Sequence, residues 1–249
     1  PGLKTLVDLT VIRKYSEAMG KLTKVAILLL SLLFLFSCAS TEKSEESEAS
    51  ATEERRKDAV ALLSFDMFSS VEDWKMDTSV LSSSLPSSFT VYSDYVPSYG
   101  ELELKYVSSI SRISEEAVRT SLPLLATYAS SLIDEPEKYI SDDDSFTSEL
   151  KNISLEEVEV IVLSALKEHS AEINESFLQV KRVFDEIRTA YANLSKVEKG
   201  VALPEASEMD FNVAAHLVSE SFFTDLGSLE RTLKNTPASS DSLYAVFWE

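Results

Sequence analysis

The sequence contains few of the residues on which disulfide-rich and most catalytic proteins depend. Among 249 residues there are one cysteine, five glycines, seven prolines and two histidines. A single cysteine excludes an intrachain disulfide. Five scattered glycines provide neither a Gly-rich phosphate loop nor a Gly-x-Ser-x-Gly nucleophile turn. The scarcity of glycine and proline also favours long helices over a fold of strands and tight turns.

Positive charge is also scarce. The chain has 23 Lys and Arg against 42 Asp and Glu, which gives a net charge of −19. Nucleic-acid binding needs clustered cations that displace counterions from phosphates, so we expect no nucleic acid among the partners. The same balance argues against adhesion of the folded part to anionic lipid. It is typical of a surface that keeps a protein soluble.

One apolar run, Val25 to Phe36, follows a short basic stretch that begins at Met19. A helix of this length spans about 18 Å, which is short of the roughly 30 Å hydrocarbon core of a bilayer. It suits the apolar part of a secretory signal peptide. The sequence therefore predicts a signal peptide over residues 19–37. Residues 1–18 are then interpreted as upstream translation, with a genuine N-terminal extension as the alternative.

The apolar run ends in Leu35-Phe36-Ser37-Cys38. This motif resembles the bacterial lipobox, with an aliphatic residue at −3 and a small one at −1, although Phe36 departs from its strictest form. The resemblance implies that the Cys38 sulfur is acylated, with palmitate-type chains, and that Cys38 becomes the mature N-terminus. Two or more acyl chains anchor a protein stably. The alternatives are an ordinary cleaved signal with an incidental cysteine, or an uncleaved anchor.

The predicted location follows from this motif. We expect the protein in the bacterial cell envelope, held by acyl chains on Cys38 at the periplasmic face of a membrane or at the outer membrane. Residues 38–52 are rich in Ser and Glu and contain no aromatic or large aliphatic side chain after Cys38. Such a segment cannot bury apolar surface, so it is predicted to be a disordered tether. Residues 53–249 are predicted to form one folded domain.

Four segments of residues 53–249 carry apolar side chains three and four residues apart, the spacing of one helix face. Each stripe is expected to face the core. The domain is therefore predicted to be all-α, an irregular bundle of about six helices. The stripes consist of Ala59, Leu63, Met67 and Trp74; of Tyr106, Ile110, Ile113 and Ala117; of Ile173, Phe177, Val180, Phe184, Ile187, Tyr191 and Leu194; and of Phe211, Ala215, Val218, Phe222, Leu226, Leu229 and Leu233.

Capping and breaking residues predict where these helices begin and end. Ser154 and Glu157 have the spacing of a capping box, which would start a helix at that point. A break between two helices is expected at 167–170. Pro123 is expected either to kink the second helix or to start a new one.

Two further segments have weaker patterns. Residues 77–100 are rich in Ser, Pro and Tyr and are predicted to be loop with one short helix, or with a small hairpin at 89–95. A short final helix is predicted over 242–248.

Several short motifs follow one another along the folded part: Leu85-Pro86, Ser111 to Ala117, Ser221-Phe222-Phe223, Glu230, Leu233-Lys234, Thr236-Pro237, Ser240 to Leu243 and Val246-Phe247. They resemble an uncharacterised bacterial family, an all-helical exported domain of unknown function of about two hundred residues. The family has Gly, Arg and Asn where this chain has Ser221, Lys234 and Thr236. The resemblance spans 53–249 and implies a helical fold and export, but no activity.

No motif predicts a catalytic residue, a metal site or a cofactor. His169 and His216 lie far apart in sequence and lack the spacing of metal ligands. His169 is placed in a loop, and His216 is expected to be half-buried beside an apolar stripe. Arg112 and Glu115 have i, i+3 spacing, so they form either a polar pair lining a groove between helices or an exposed ion pair.

Three hypotheses on function remain open. The first, which the sequence favours, is a non-catalytic envelope lipoprotein whose domain binds an envelope protein or an apolar ligand. It predicts a groove lined by the Phe and Tyr side chains of the two longest helices. The second is a periplasmic enzyme of unknown class, with polar side chains converging in a pocket. The third is a purely structural surface lipoprotein. Tyr92, Tyr95 and Tyr99 would either rim a binding surface or pack over the core.

Overall fold

The computed structural model describes residues 45–140, 145–194, 208–236 and 242–248. Residues 50–249 form one compact unit. Throughout the described ranges the secondary structure is helical and contains no strand. The prediction of an all-α bundle is therefore confirmed.

Five long helices and three short ones make up the described part, together with two 3-10 helices. The α-helices are α1 Glu45–Ser70, α2 Thr78–Ser83, α3 Ser87–Thr90, α4 Tyr99–Leu132, α5 Glu137–Ile140, α6 Ser145–Glu168, α7 Ser170–Leu194 and α8 Phe211–Lys234; the 3-10 helices are Val91–Asp94 and Leu243–Trp248.

The longest helix, α4, packs against α6 and α7. These two helices follow one another along the chain, and both run antiparallel to α4. Tyr128 donates a hydrogen bond of 2.5 Å to Glu157 on α6, and Arg112 forms an ion pair with Glu172 on α7. Helix α8 is antiparallel to α6, because Glu230 near the end of α8 contacts Thr147 at the start of α6, whereas His216 near the start of α8 contacts Glu159 further along α6. The four helices enclose one apolar core, to which α1 contributes its buried face.

The predicted apolar stripes face this core. Every member of the first two stripes is buried, as are the first four members of the stripe on α7. Burying one such side chain contributes about 1.5–3 kcal/mol relative to exposure, so the stripes fix which face of each helix turns inward. On α8 the central residues are buried, whereas Phe211, Leu229 and Leu233 at its two ends are half-buried. The side chains of Tyr191 and Leu194 lie outside the described residues.

The expected new helix at Pro123 is not observed, because α4 continues through this residue to Leu132. Proline removes one backbone N–H and crowds the preceding turn. Val118 and Leu125, on either side of it, are both buried. Burial on both sides packs the two halves of the helix against the same core. This packing outweighs the tendency of proline to end a helix.

The predicted capping box at Ser154 is wrong. Helix α6 begins at Ser145, and Ser154 lies in its interior, where its hydroxyl donates to the Leu150 carbonyl at 2.5 Å. Phe146 and Leu150, which precede the predicted start, are buried. The predicted break at 167–170 is observed between α6 and α7.

Residues 77–100 form short helices rather than a hairpin. Asp77 caps α2 by accepting a hydrogen bond of 2.9 Å from the Ser79 N–H. Phe89 on α3 is fully buried and stacks against Tyr106 and Phe177, with ring centroids 5.3 Å apart in each case. Apolar burial thus orders a segment whose composition predicted mostly loop.

The predicted tether is partly helical, because α1 begins at Glu45 rather than near Glu53. Residues 50–54 are exposed, so this first part of the helix buries little surface. Its composition of Glu and Ala favours helix without packing, and Lys57 pairs with Glu53 at 3.2 Å one turn along. Residues 45–52 are thus helical where a disordered tether was predicted, and the expected lack of burial is seen at 50–52.

The C-terminal segment is a 3-10 helix, Leu243–Trp248, where a short α-helix was predicted. Tyr244 within it donates a hydrogen bond of 2.7 Å to Asp66 on α1. The preceding long helix, α8, begins at Phe211, the first residue of its predicted stripe, and the Asp210 carboxylate caps it through the Asn212 N–H at 2.8 Å.

Candidate functional site

The predicted acylation site, Cys38, lies outside the described residues, as does the apolar run that precedes it. None of the described helices has the length and apolarity needed to cross a membrane. Acylation of Cys38 therefore remains a prediction from the sequence.

Arg112 and Glu115 do not pair with each other among the described residues. The Arg112 guanidinium reaches Glu172 on α7 instead. His169, at the break between α6 and α7, lies 3.5 Å from the same carboxylate. These side chains are about half exposed or more. They connect α4 to the start of α7 at the surface.

Glu115 points the other way, into the interface between α4 and the turn after α1. Its carboxylate accepts hydrogen bonds from the Lys75 ammonium at 2.7 Å, the Ser111 hydroxyl at 3.0 Å and the Met76 N–H at 3.2 Å. Burial alone would raise the pKa of Glu115, but these three donors together hold the pKa below its ordinary value. The group is a buried, ionised anchor for the chain between α1 and α2.

The same turn is attached to α8. The Trp74 indole N–H donates to Asp225 at 2.9 Å, and its ring meets the edge of Phe222 with centroids 5.4 Å apart. Glu115 and Trp74 therefore fasten one short connection to two different helices. Arg112 and Glu115 therefore make separate contacts on α4, one at the surface and one in the interface with the turn after α1.

A fully buried ion pair was not predicted. Glu230 on α8 has no exposed surface, and Lys234 one turn later is only 4% exposed, with its ammonium 2.6 Å from the Glu230 carboxylate. The same carboxylate accepts from the Thr147 N–H at 2.7 Å and the Phe146 N–H at 3.2 Å. Glu230 therefore caps the first turn of α6 from another helix.

Lys234 also links α8 to the C-terminal 3-10 helix, because its ammonium lies 5.6 Å from the centre of the Phe247 ring. A cation over an aromatic face is attracted by the ring quadrupole. The sequence signal for this cluster was a Glu four residues before a Lys. Such a spacing far more often gives an ion pair on the exposed face of a helix. Only the position of both residues on the inner face of α8 distinguishes it.

The histidines do not meet. His216 lies on the surface of α8, more exposed than expected, with its Nδ1 2.7 Å from a Glu159 carboxylate oxygen on α6. Among the described residues no three His, Cys, Asp or Glu side chains are grouped as metal ligands would be.

The Phe and Tyr side chains of the longest helices pack against one another. Tyr92 meets the edge of Phe184 with ring centroids 4.5 Å apart, and Tyr95 covers the same ring. Tyr106 is fully buried, and its hydroxyl accepts from the Met209 N–H at 3.2 Å. Burial raises the pKa of Tyr106 to about 12. These ring contacts contribute to the packing of the 3-10 helix Val91–Asp94 and of α4 against α7.

One shallow depression, open to solvent, lies on the outer side of α7. It is lined by Leu178, Lys181, Arg182, Asp185, Glu186 and Thr189. All six side chains are exposed. The depression is formed by one helix only, so it offers a contact surface rather than an enclosed pocket.

Comparison with protein-family models, with curated protein sequences and with solved structures gives no match to this chain. The resemblance to an exported helical family therefore stays a prediction from short motifs.

Proposed function

We propose that this protein is a bacterial envelope lipoprotein that holds a non-catalytic helical domain at a membrane surface, where the domain binds another protein. The observation that carries the proposal is the motif Leu35-Phe36-Ser37-Cys38 at the end of the apolar run. A signal of this form places acyl chains on the cysteine, and two or more chains anchor stably.

The contacts of the helical domain favour a protein partner over a small apolar ligand. The aromatic rings between α3, α4 and α7 contact one another at stacking distances, so they are already used by the fold. The buried charged groups Glu115, Glu230 and Lys234 each bind neighbouring elements of the domain. Chemistry available for a partner lies on the exposed faces, as is usual for interactions between proteins.

Acylation is tested by expressing the full chain and its Cys38→Ala variant in a bacterium that processes lipoproteins. The unaltered chain is expected to partition into detergent and to yield an acylated N-terminal peptide beginning at Cys38 in mass spectrometry. The Cys38→Ala chain is expected in the aqueous phase. Ser37→Ala is the matched control, because it keeps a small residue before the cysteine and should leave acylation intact. A free, unmodified Cys38 thiol in the processed protein would refute the proposal.

Partner binding is tested in the native envelope. Intact cells are treated with a short cross-linker, and the protein is isolated with its covalent partners. We expect cross-links from exposed side chains of residues 53–249 to a protein, and no small molecule retained in stoichiometric amount by the purified chain. A stoichiometric apolar ligand would contradict this part of the proposal.

A further inference from the structure

The outer face of α7 has an ordered pattern of charge. Lys181 and Arg182 are followed one turn later by Asp185 and Glu186, and Leu178 is 56% exposed. The buried stripe of the same helix faces the opposite side. The depression on α7 therefore presents a basic half and an acidic half to solvent.

Lys181, Arg182, Asp185 and Glu186 make no ion pair with one another. The structure shows no ion pair for any of them with a described residue. Their order also works against pairing along the helix, because an acidic residue four positions before a basic one is the more favourable arrangement. Here the basic residues come first. The described residues therefore leave these four charges available for an intermolecular contact.

The pattern is symmetric about the midpoint between Val183 and Phe184. Arg182 and Asp185 are equally far from this point along the chain, as are Lys181 and Glu186, and Leu178 and Thr189. When two copies of such a helix pack antiparallel about a two-fold axis at this midpoint, each residue lies opposite the residue of the other copy that is equally far from the midpoint on its other side. Lys181 then faces Glu186, Arg182 faces Asp185, and Leu178 faces the methyl group of Thr189.

We propose that this face of α7 is the docking surface for a second copy of the chain, joined antiparallel through four intermolecular ion pairs. An interface confined to one helix face extends about 18 Å along the axis, and it falls at the small end of specific contacts, below roughly 1,200 Å². It therefore gives weak, reversible association. The net charge of −19 opposes the contact, but salt screens charges more than about 10 Å apart, whereas the opposed pairs lie in direct contact.

This inference goes beyond the proposed function and does not require acylation of Cys38. Its test is a charge-reversal series on the full chain in mild detergent, measured by sedimentation equilibrium. Lys181→Glu with Arg182→Glu makes the face wholly acidic, and Asp185→Lys with Glu186→Arg makes it wholly basic. Each variant alone is expected to self-associate at least about tenfold more weakly, because every attractive pair becomes repulsive. An equimolar mixture of the two is expected to associate as a heterodimer.

The matched control is Lys105→Glu with Lys167→Glu. Both lysines are exposed on other helices and form no ion pair with a described residue, and the change in net charge equals that of the acidic α7 variant. Its self-association should differ less than twofold from that of the unaltered chain. The proposal is overturned if the unaltered chain stays monomeric up to about 1 mM, if the control weakens as much as the α7 variants, or if the mixture fails to associate.

Discussion

Glu230 shows how much one carboxylate can organise. It caps α6, pairs with Lys234 on its own helix and, through Lys234, holds the Phe247 ring. All three contacts are out of water. A buried charge that loses its partner is far more costly than an exposed one, because it cannot be rehydrated without opening the core.

Glu230→Gln is expected to lower the free energy of unfolding by about 3–5 kcal/mol, since it removes the carboxylate that compensates the charge of the buried Lys234 ammonium. Adding Lys234→Met should restore most of that loss. Urea denaturation followed by circular dichroism measures both effects. The control is Glu220→Gln, whose half-exposed pair with Lys151 should be worth less than about 1 kcal/mol. Equal losses for Glu230→Gln and Glu220→Gln would contradict the buried-pair argument.

Glu115 makes stability depend on pH in a defined direction. Its pKa is lower in the folded chain than its ordinary value of 4.5. The unfolded state therefore binds its proton first as the pH falls, so the contribution of this group is present above pH 4.5 and is lost below it.

The difference in unfolding free energy between the unaltered chain and Glu115→Gln should thus be greatest at neutral pH and should shrink as the pH drops below 4.5. Denaturation curves across pH 3–7 in roughly unit steps would show it. Arg112 lies on the same helix as Glu115 but forms a surface ion pair with α7. The difference in unfolding free energy between the unaltered chain and Arg112→Gln should be small and nearly constant with pH. A gap for Glu115→Gln that stays constant with pH would count against the assigned donors.

At the scale of elements, periodicity predicted helix faces well, whereas local signals predicted the break between α6 and α7 but not the start of α6. The stripes at Leu63, Ile110 and Val218 follow from apolar burial, which the sequence carries directly. The start of α6 is set by Glu230, 83 residues from Thr147, and no local motif records such a contact. The same limit applies to the candidate site. The i, i+3 spacing of Arg112 and Glu115 predicted a pair, but each side chain contacts a partner that is distant in sequence.

The C-terminal 3-10 helix offers a test of how an element is held. Tyr244→Phe removes only the hydrogen bond to Asp66, and a hydrogen bond to a charged group contributes about 1.5–3 kcal/mol. Amide hydrogen exchange in residues 243–248 should accelerate, whereas exchange in the middle of α4 should change little. Tyr95→Phe is a matched control on an exposed tyrosine and should leave exchange at 243–248 unaltered. Identical exchange in all three chains would mean that packing alone holds this element.

For the whole molecule, net charge dominates the response to salt. A chain with 42 acidic and 23 basic side chains repels itself when compact. Raising ionic strength from about 0.01 M to 0.1 M shortens the screening length from about 30 Å to 10 Å. The thermal midpoint should therefore rise with salt over this range.

Replacing exposed Glu156 and Glu175 by Gln should reduce that salt dependence, because each substitution removes one negative charge without breaking an ion pair among the described residues. Differential scanning fluorimetry at both salt concentrations makes the comparison. A midpoint that falls with salt would show that attractive surface pairs outweigh the net repulsion.

Several contacts that hold the domain together involve residues late in the chain, and this order affects folding during synthesis. Glu230, Lys234, Tyr244 and Phe247 complete contacts with helices α1 and α6, which are synthesised much earlier. A nascent chain therefore cannot finish folding until position 247 has emerged from the ribosome. Under the proposed export of the chain, this delay would keep it in a translocatable state during synthesis. Chains halted at position 229 should accordingly be digested rapidly by protease, whereas chains that extend through position 249 should resist.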